Sequence, residues 1–197
     1  MTGKASRSSI NRTWLIVYTA VFIILAIILS RFRLTVPIGA INFGSTAVTV
    51  AAVLLPWPVG AIAGVFKGIG ASFGSGSIFI ELPAGIGDTL SAIFTSWLVK
   101  HWAKSYAIIV GQVSRYFLTG GVVAISLGIL VAYGIISPGL APIGNLTTSP
   151  WQNIVIIWRT VCHPAVTLSV IFNMTASLLI VWLFGHIIEK TLYEPKA

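Results

Sequence analysis

Apolar stretches of bilayer-crossing length follow one another along this chain with almost no charge to interrupt them, and that restricts its fold more than any motif does. A helix needs roughly 20 residues to cross a hydrocarbon core of about 30 Å, and the runs over 14–32, 106–136 and 151–188 reach that length. With 56% hydrophobic and 8% charged residues and a mean hydropathy of +0.97, an ordinary soluble domain is excluded. The sequence predicts an all-α membrane protein, a six-helix transmembrane bundle with both termini cytoplasmic. Residues 1–13 form a short cytoplasmic segment, 14–190 the membrane domain and 191–197 a cytoplasmic tail.

Punctuation by Pro, Gly and charge sets the helix limits. Helix 1 covers 14–32 and ends in Arg31 and Arg33, whose long side chains snorkel to an interface. A polar loop follows over 35–42. Helices 2 and 3, over 43–55 and 59–71, are separated by Pro56-Trp57-Pro58 and are too short to cross without tilt or thinning. A Gly/Ser-rich loop over 72–82 then leads to helix 4, with Pro83 in its first turn and Val99 at its end. Helix 5 runs over 106–136 and helix 6 over 151–188, kinked at His163-Pro164.

Basic residues orient the bundle. Lys4, Arg7, Arg12, Lys100, Lys104, Lys190 and Lys196 fall on one side if both termini are cytoplasmic, against Arg31 and Arg33 on the other. The first apolar run exceeds a signal-peptide core and no small-residue cleavage pattern follows, so it reads as a retained helix. The outward loops are then 33–42, 72–82 and 137–152.

The chain carries four carboxylates, and Glu81 and Asp88 lie with Lys67 in an apolar, Gly-rich region. An ionised side chain at bilayer depth costs about 3 kcal/mol or more, so such residues face a bundle interior or a cavity. Lys67 and Asp88 read as a pair across helices 3 and 4, or as pocket residues. Arg115 is expected to snorkel to the cytoplasmic surface, and Asn173 to bond between helices. Gly60, Gly64 and Gly68 repeat every four residues, as do Gly87, Ser91 and Thr95, and Ala26 and Ser30 make a lesser pair. These ridges suit tight packing inside the bundle or a docking surface for another subunit.

Other functions are excluded by what the residues lack. The net charge of +8 lies at helix ends and inside apolar helices, without the basic face of a nucleic-acid binder. One cysteine, Cys162, allows no internal disulfide, and no Cys/His spacing suits a metal. There is no Gly-x-x-x-x-Gly-Lys-Ser/Thr phosphate loop, and His101, His163 and His186 have no catalytic partner at a recognisable spacing. No catalytic residue, cofactor or metal is expected.

Polar and aromatic residues gather instead in the outward loops and helix ends: Asn42, Glu81, Trp151, Gln152, Asn153, Trp158, Arg159 and His163. The Arg159 guanidinium is a planar fork for a carboxylate or phosphate, and the tryptophans stack on rings or cover cations. The same residues also read as interface anchors, with Arg159 reaching headgroups. Glu81 suits an amine or hydroxyl, or the positive end of helix 4.

Three stretches carry a family resemblance: Asn42-Phe-Gly44; Val53-Leu-Leu-Pro56-Trp-Pro58-Val-Gly60-Ala-Ile-Ala-Gly64-Val-Phe-Lys67; and Ile80-Glu-Leu-Pro83-Ala-Gly85-Ile-Gly87. Over about residues 36–100 the chain resembles the substrate-binding S components of energy-coupling factor (ECF) transporters. The resemblance implies a six-helix subunit of the prokaryotic plasma membrane that captures a vitamin or similar micronutrient from outside. It implies partners too, a transmembrane T component and two cytoplasmic ATPases. In that family a pair of alanines four apart on helix 1 meets the T component; here Ala20 stands at the first place and Ile24 at the second. The expected substrate site is Asn42, Glu81, Trp151, Asn153, Trp158, Arg159 and His163, capped by the 33–42 and 72–82 loops. The expected partner interface is Ala20, Ala26, Ser30, Gly60, Gly64 and Gly68. Two other readings remain open: a solitary secondary transporter or channel for a small solute, and a membrane assembly or anchoring subunit.

Overall fold

A computed structural model describes residues 9–36, 39–75, 78–137, 146–161 and 164–194. The elements in chain order are β1 (Ser9–Ile10), α1 (Arg12–Arg31), β2 (Arg33–Val36), β3 (Gly39–Asn42), α2 (Gly44–Leu54), α3 (Trp57–Ser75), α4 (Ile78–Val99), α5 (Lys104–Ala132), α6 (Pro150–Val161), α7 (Pro164–Leu192) and β4 (Tyr193–Glu194). Among the described residues four helices, α1, α4, α5 and α7, are long and apolar enough to cross a membrane. Large apolar side chains point outward from them, Ile16, Trp182 and Phe184 among the exposed ones, whereas Lys67, Asp88, Gln112 and Asn173 are buried. This polarity is the reverse of a water-soluble protein's and fits a lipid surround.

Helix α2 is the hub. All eleven of its residues are buried, and it touches α1, α3, α4, α5 and α7. Its sequence, rich in Gly, Ser, Thr, Ala and Val, is small enough for helices to close on it from every side. Asn42 opens it: the Asn42 side chain accepts from the Gly44 N–H at 2.8 Å and donates to the Ser30 carbonyl at 2.9 Å.

The two ends of the described chain meet at one end of the bundle. β1 pairs antiparallel with β4, the Asn11 N–H donates to the Leu192 carbonyl at 3.0 Å, and Tyr18 and Thr191 share a hydroxyl hydrogen bond of 2.7 Å. Lys104 and Glu189 form an ion pair at this same end. The opposite end carries the β2–β3 hairpin, which pairs Arg33 with Asn42 and Val36 with Gly39.

Several sequence expectations are corrected. Among the described residues there are seven helices, of which α6 and α7 both fall within the one helix expected over 151–188. Pro164, lacking an N–H, is the first residue of α7, where no N–H is needed. His163 lies outside the described residues. The loop expected over 72–82 is largely helix: Ser72 donates back to the Gly68 carbonyl at 2.8 Å as α3 continues to Ser75, and α4 begins at Ile78. Pro83 therefore sits inside α4, beyond its first turn. Within the loop expected over 35–42, Thr35 and Val36 belong to β2 and residues 39–42 are β3, and β-branched Thr35, Val36 and Ile41 suit extended backbone.

Candidate functional site

Close helix contact builds the site. On α3, Gly64 lies against Thr89 and Gly68 against Gly85 of α4; a Cβ at Gly68 would fall 2.8 Å from the Gly85 Cα. On α4, a Cβ at Gly87 would collide with the backbone of Thr119 on α5. These approaches bring Lys67, between Gly64 and Gly68, onto Asp88 near the middle of α4. They also bring α5 near enough for Thr119 to donate to Asp88 at 3.0 Å. The glycine ridges are thus spent on packing within the chain. That corrects Gly60, Gly64 and Gly68 as a partner interface, since Gly60 is likewise closed against Ala52 of α2. Ala26 and Ser30, also expected there, are buried. Ala20 is exposed.

Asp88 is fully buried and holds two cations. Lys67 pairs with one of its oxygens, and the Arg115 Nε donates to the other at 2.6 Å. Arg115 was expected at the membrane surface; instead it turns inward, with its side chain 13% exposed. An acidic partner at bilayer depth outweighs the short reach to headgroups, because ionised groups in low dielectric gain most from each other. Glu81, one face-repeat nearer the hairpin end of α4, is close enough to act on Lys67 electrostatically.

Polar contacts continue from this cluster across the bundle. The Arg115 Nη1 points at Gln112 Oε1 at 3.4 Å, and Gln112 donates to Thr49 of α2 at 2.7 Å. One turn along α2, Thr46 donates to Asn173 of α7 at 2.8 Å, and Asn173 donates to the Asn42 carbonyl at 2.8 Å. Two runs of polar contacts therefore reach α2 on neighbouring turns, one from Lys67 on α3 to Thr49 and one from Thr46 through Asn173 to Asn42 of β3. Among the described residues, Ser45 has the one buried side-chain oxygen or nitrogen with no hydrogen-bond partner.

The residues expected from sequence to line a pocket are distributed differently. Asn42 and Asn153 satisfy backbone: Asn153 accepts from the Thr147 N–H at 2.6 Å and donates to the Thr147 carbonyl at 2.7 Å, closing the turn before α6. Gln152 meets the Thr147 hydroxyl. Trp158 stacks on Phe117 of α5, ring centres 6.4 Å apart. Trp151 is 72% exposed. Arg159 is exposed and makes no hydrogen bond or ion pair among the described residues. Glu81 is in the first turn of α4 and half-buried. The sequence reading missed Gln112, Thr119, Thr49 and the inward turn of Arg115. For the three on α5 the signal was present: 112, 115 and 119 are spaced to share one face of that helix.

A cation pair on one carboxylate, joined to amides and hydroxyls, can bind polar atoms and move little; it contains no nucleophile–base arrangement among the described residues. No group of His, Cys, Asp and Glu that would hold a metal occurs among the described residues. No protein-family model, no curated protein and no solved structure matches this chain.

Proposed function

We propose that the chain is a capture subunit of the S-component kind, taking a vitamin-like, ring-bearing micronutrient at the hairpin end of a membrane bundle. It hands that solute inward with a T component and two ATPases, in a prokaryotic cell membrane with both termini cytoplasmic. The observation that carries the reading is the pair of polar runs, Lys67 to Thr49 and Thr46 to Asn42, inside a bundle whose outer surface is apolar. Ionisable groups held at that depth are retained mainly for a solute or ion path. The basic excess of Arg12, Lys100, Lys104 and Lys190 at the terminal end, against Arg31 and Arg33 at the hairpin end, supports the orientation.

With the ridges of α3 spent internally, coupling to a partner falls to exposed faces such as the groove between α1 and α3 that includes Ala20. Native mass spectrometry of the purified chain tests the proposal: a retained organic mass, and co-purifying membrane and ATPase subunits, are expected. Solute movement by the chain alone in proteoliposomes would replace this reading with the solitary transporter. Unchanged cellular uptake in Arg159→Ala and Glu81→Ala, together with lost partner binding, would replace it with the assembly subunit.

A further inference from the structure

The donors of the central cluster outnumber its acceptors. Asp88 takes Lys67 on one oxygen and both the Arg115 Nε and the Thr119 hydroxyl on the other, which nearly fills its lone pairs. Arg115 spends Nε on Asp88 and holds only the long 3.4 Å contact from Nη1; its Nη2 has no acceptor among the described residues. Lys67 has one acceptor for three N–H groups. A guanidinium anchored by Nε keeps its terminal edge in a fixed direction, and that edge matches a planar oxyanion.

Helix register sets the level of Ser45. α2 and α5 run antiparallel, since the start of α5 and the end of α2 line one pocket with Lys104 and Pro56. Thr49 meets Gln112, so one turn toward the hairpin end places Ser45 level with Arg115. Its hydroxyl is buried without a partner, and a buried hydroxyl left unpaired costs free energy that a bound polar group recovers. Even with Glu81 counted beside Lys67, Asp88 and Arg115, the four formal charges sum to zero.

We infer that the captured solute carries a carboxylate or phosphate group, received at mid-depth by the Arg115 guanidinium edge with Lys67 and Ser45 as further donors. This rests on the capture reading above. Asp88 is then a positioning residue, holding Arg115 by Nε so that its terminal edge faces the solute.

The test is the chemistry of what the full-length purified chain retains. Solute extracted from the native protein is analysed by mass spectrometry before and after carbodiimide–amine coupling, which marks a carboxyl, and before and after phosphatase, which marks a phosphate. One of the two marks is expected. Arg115→Lys keeps the charge but not the fork, and is expected to retain at least tenfold less of that solute at an unchanged elution volume; Ser45→Ala is expected to retain several-fold less. A retained solute with neither acidic group overturns the inference while leaving capture standing. So does an acidic solute held equally by native protein and folded Arg115→Lys. No retained organic solute in the native protein overturns both. If Arg115→Lys fails to fold, the class of the native solute and the Ser45→Ala ratio still decide.

Discussion

Gln112 of α5 donates its side-chain amide to the hydroxyl of Thr49 on α2 at 2.7 Å, and this bond joins the ionic cluster to the helix at the centre of the bundle. Both side chains are buried. Thr49→Val removes the acceptor and strands the amide, which costs about 1–3 kcal/mol. Replacing both partners with apolar groups removes the stranded group as well, so Thr49→Val with Gln112→Leu is expected to cost less than the two single changes added together. Unfolding midpoints in detergent measure the cycle. Additive costs would show that the bond contributes nothing.

Removing Asp88 is expected to do more. Asp88→Asn leaves Lys67 and Arg115 facing each other without a counter-charge, and breaking a buried pair costs about 3–5 kcal/mol. Lys67→Met in the same background removes one of the stranded cations and should recover part of the loss. Glu189→Gln is the contrast: the side chains of Lys104 and Glu189 are 38% and 36% exposed, and such a pair contributes about 1 kcal/mol or less. Thermal loss of the monodisperse peak on size exclusion ranks the three. A Glu189→Gln loss as large as that of Asp88→Asn would contradict the account.

Helix spacing can be tested at Gly87. Alanine has the higher helix propensity by about 1 kcal/mol, yet a Cβ at 87 runs into the Thr119 backbone. Overpacking of this kind costs about 1–3 kcal/mol, and it also pulls Thr119 from Asp88. Gly87→Ala is therefore expected to lower the unfolding midpoint, whereas Ile86→Ala, one residue away at a position 53% exposed, leaves it nearly unchanged in detergent. The reverse order would mean that α4 and α5 are not in close contact there.

Much of this architecture is written in residue type. Apolar runs locate α1, α4, α5 and α7 because lipid demands the same apolar surface at every turn, and small-residue ridges locate the α3–α4 contact because only they let backbones meet. The pair of Lys67 with Asp88 follows from the cost of either alone. Other features depend on partners distant in sequence. Arg115 lies where a headgroup or a carboxylate would serve equally well by spacing, and only the approach of α4 decides between them. Asn153 resembles a pocket residue in composition, yet its two bonds to Thr147 are local turn chemistry. Ser72 to Ser75 read as a loop because Gly and Ser are weak helix formers, yet α3 continues through them, with Ser72 donating back to the Gly68 carbonyl.

Topology gives the last prediction. Ser9 pairs with Glu194 and Asn11 bonds to Leu192, so the two ends of the described chain lie together, while Tyr133, 74% exposed, follows α5 at the other end. In a Cys162→Ala background, single cysteines at Arg12, Lys190 and Tyr133 are treated with a membrane-impermeant maleimide in intact cells and again after permeabilisation. Tyr133→Cys is expected to react in intact cells, and Arg12→Cys and Lys190→Cys only after permeabilisation, because the basic end stays on the cytoplasmic side. The opposite pattern would invert the bundle. It would put the hairpin end and Arg31 inside, and capture from the exterior would then have to enter between the terminal strands.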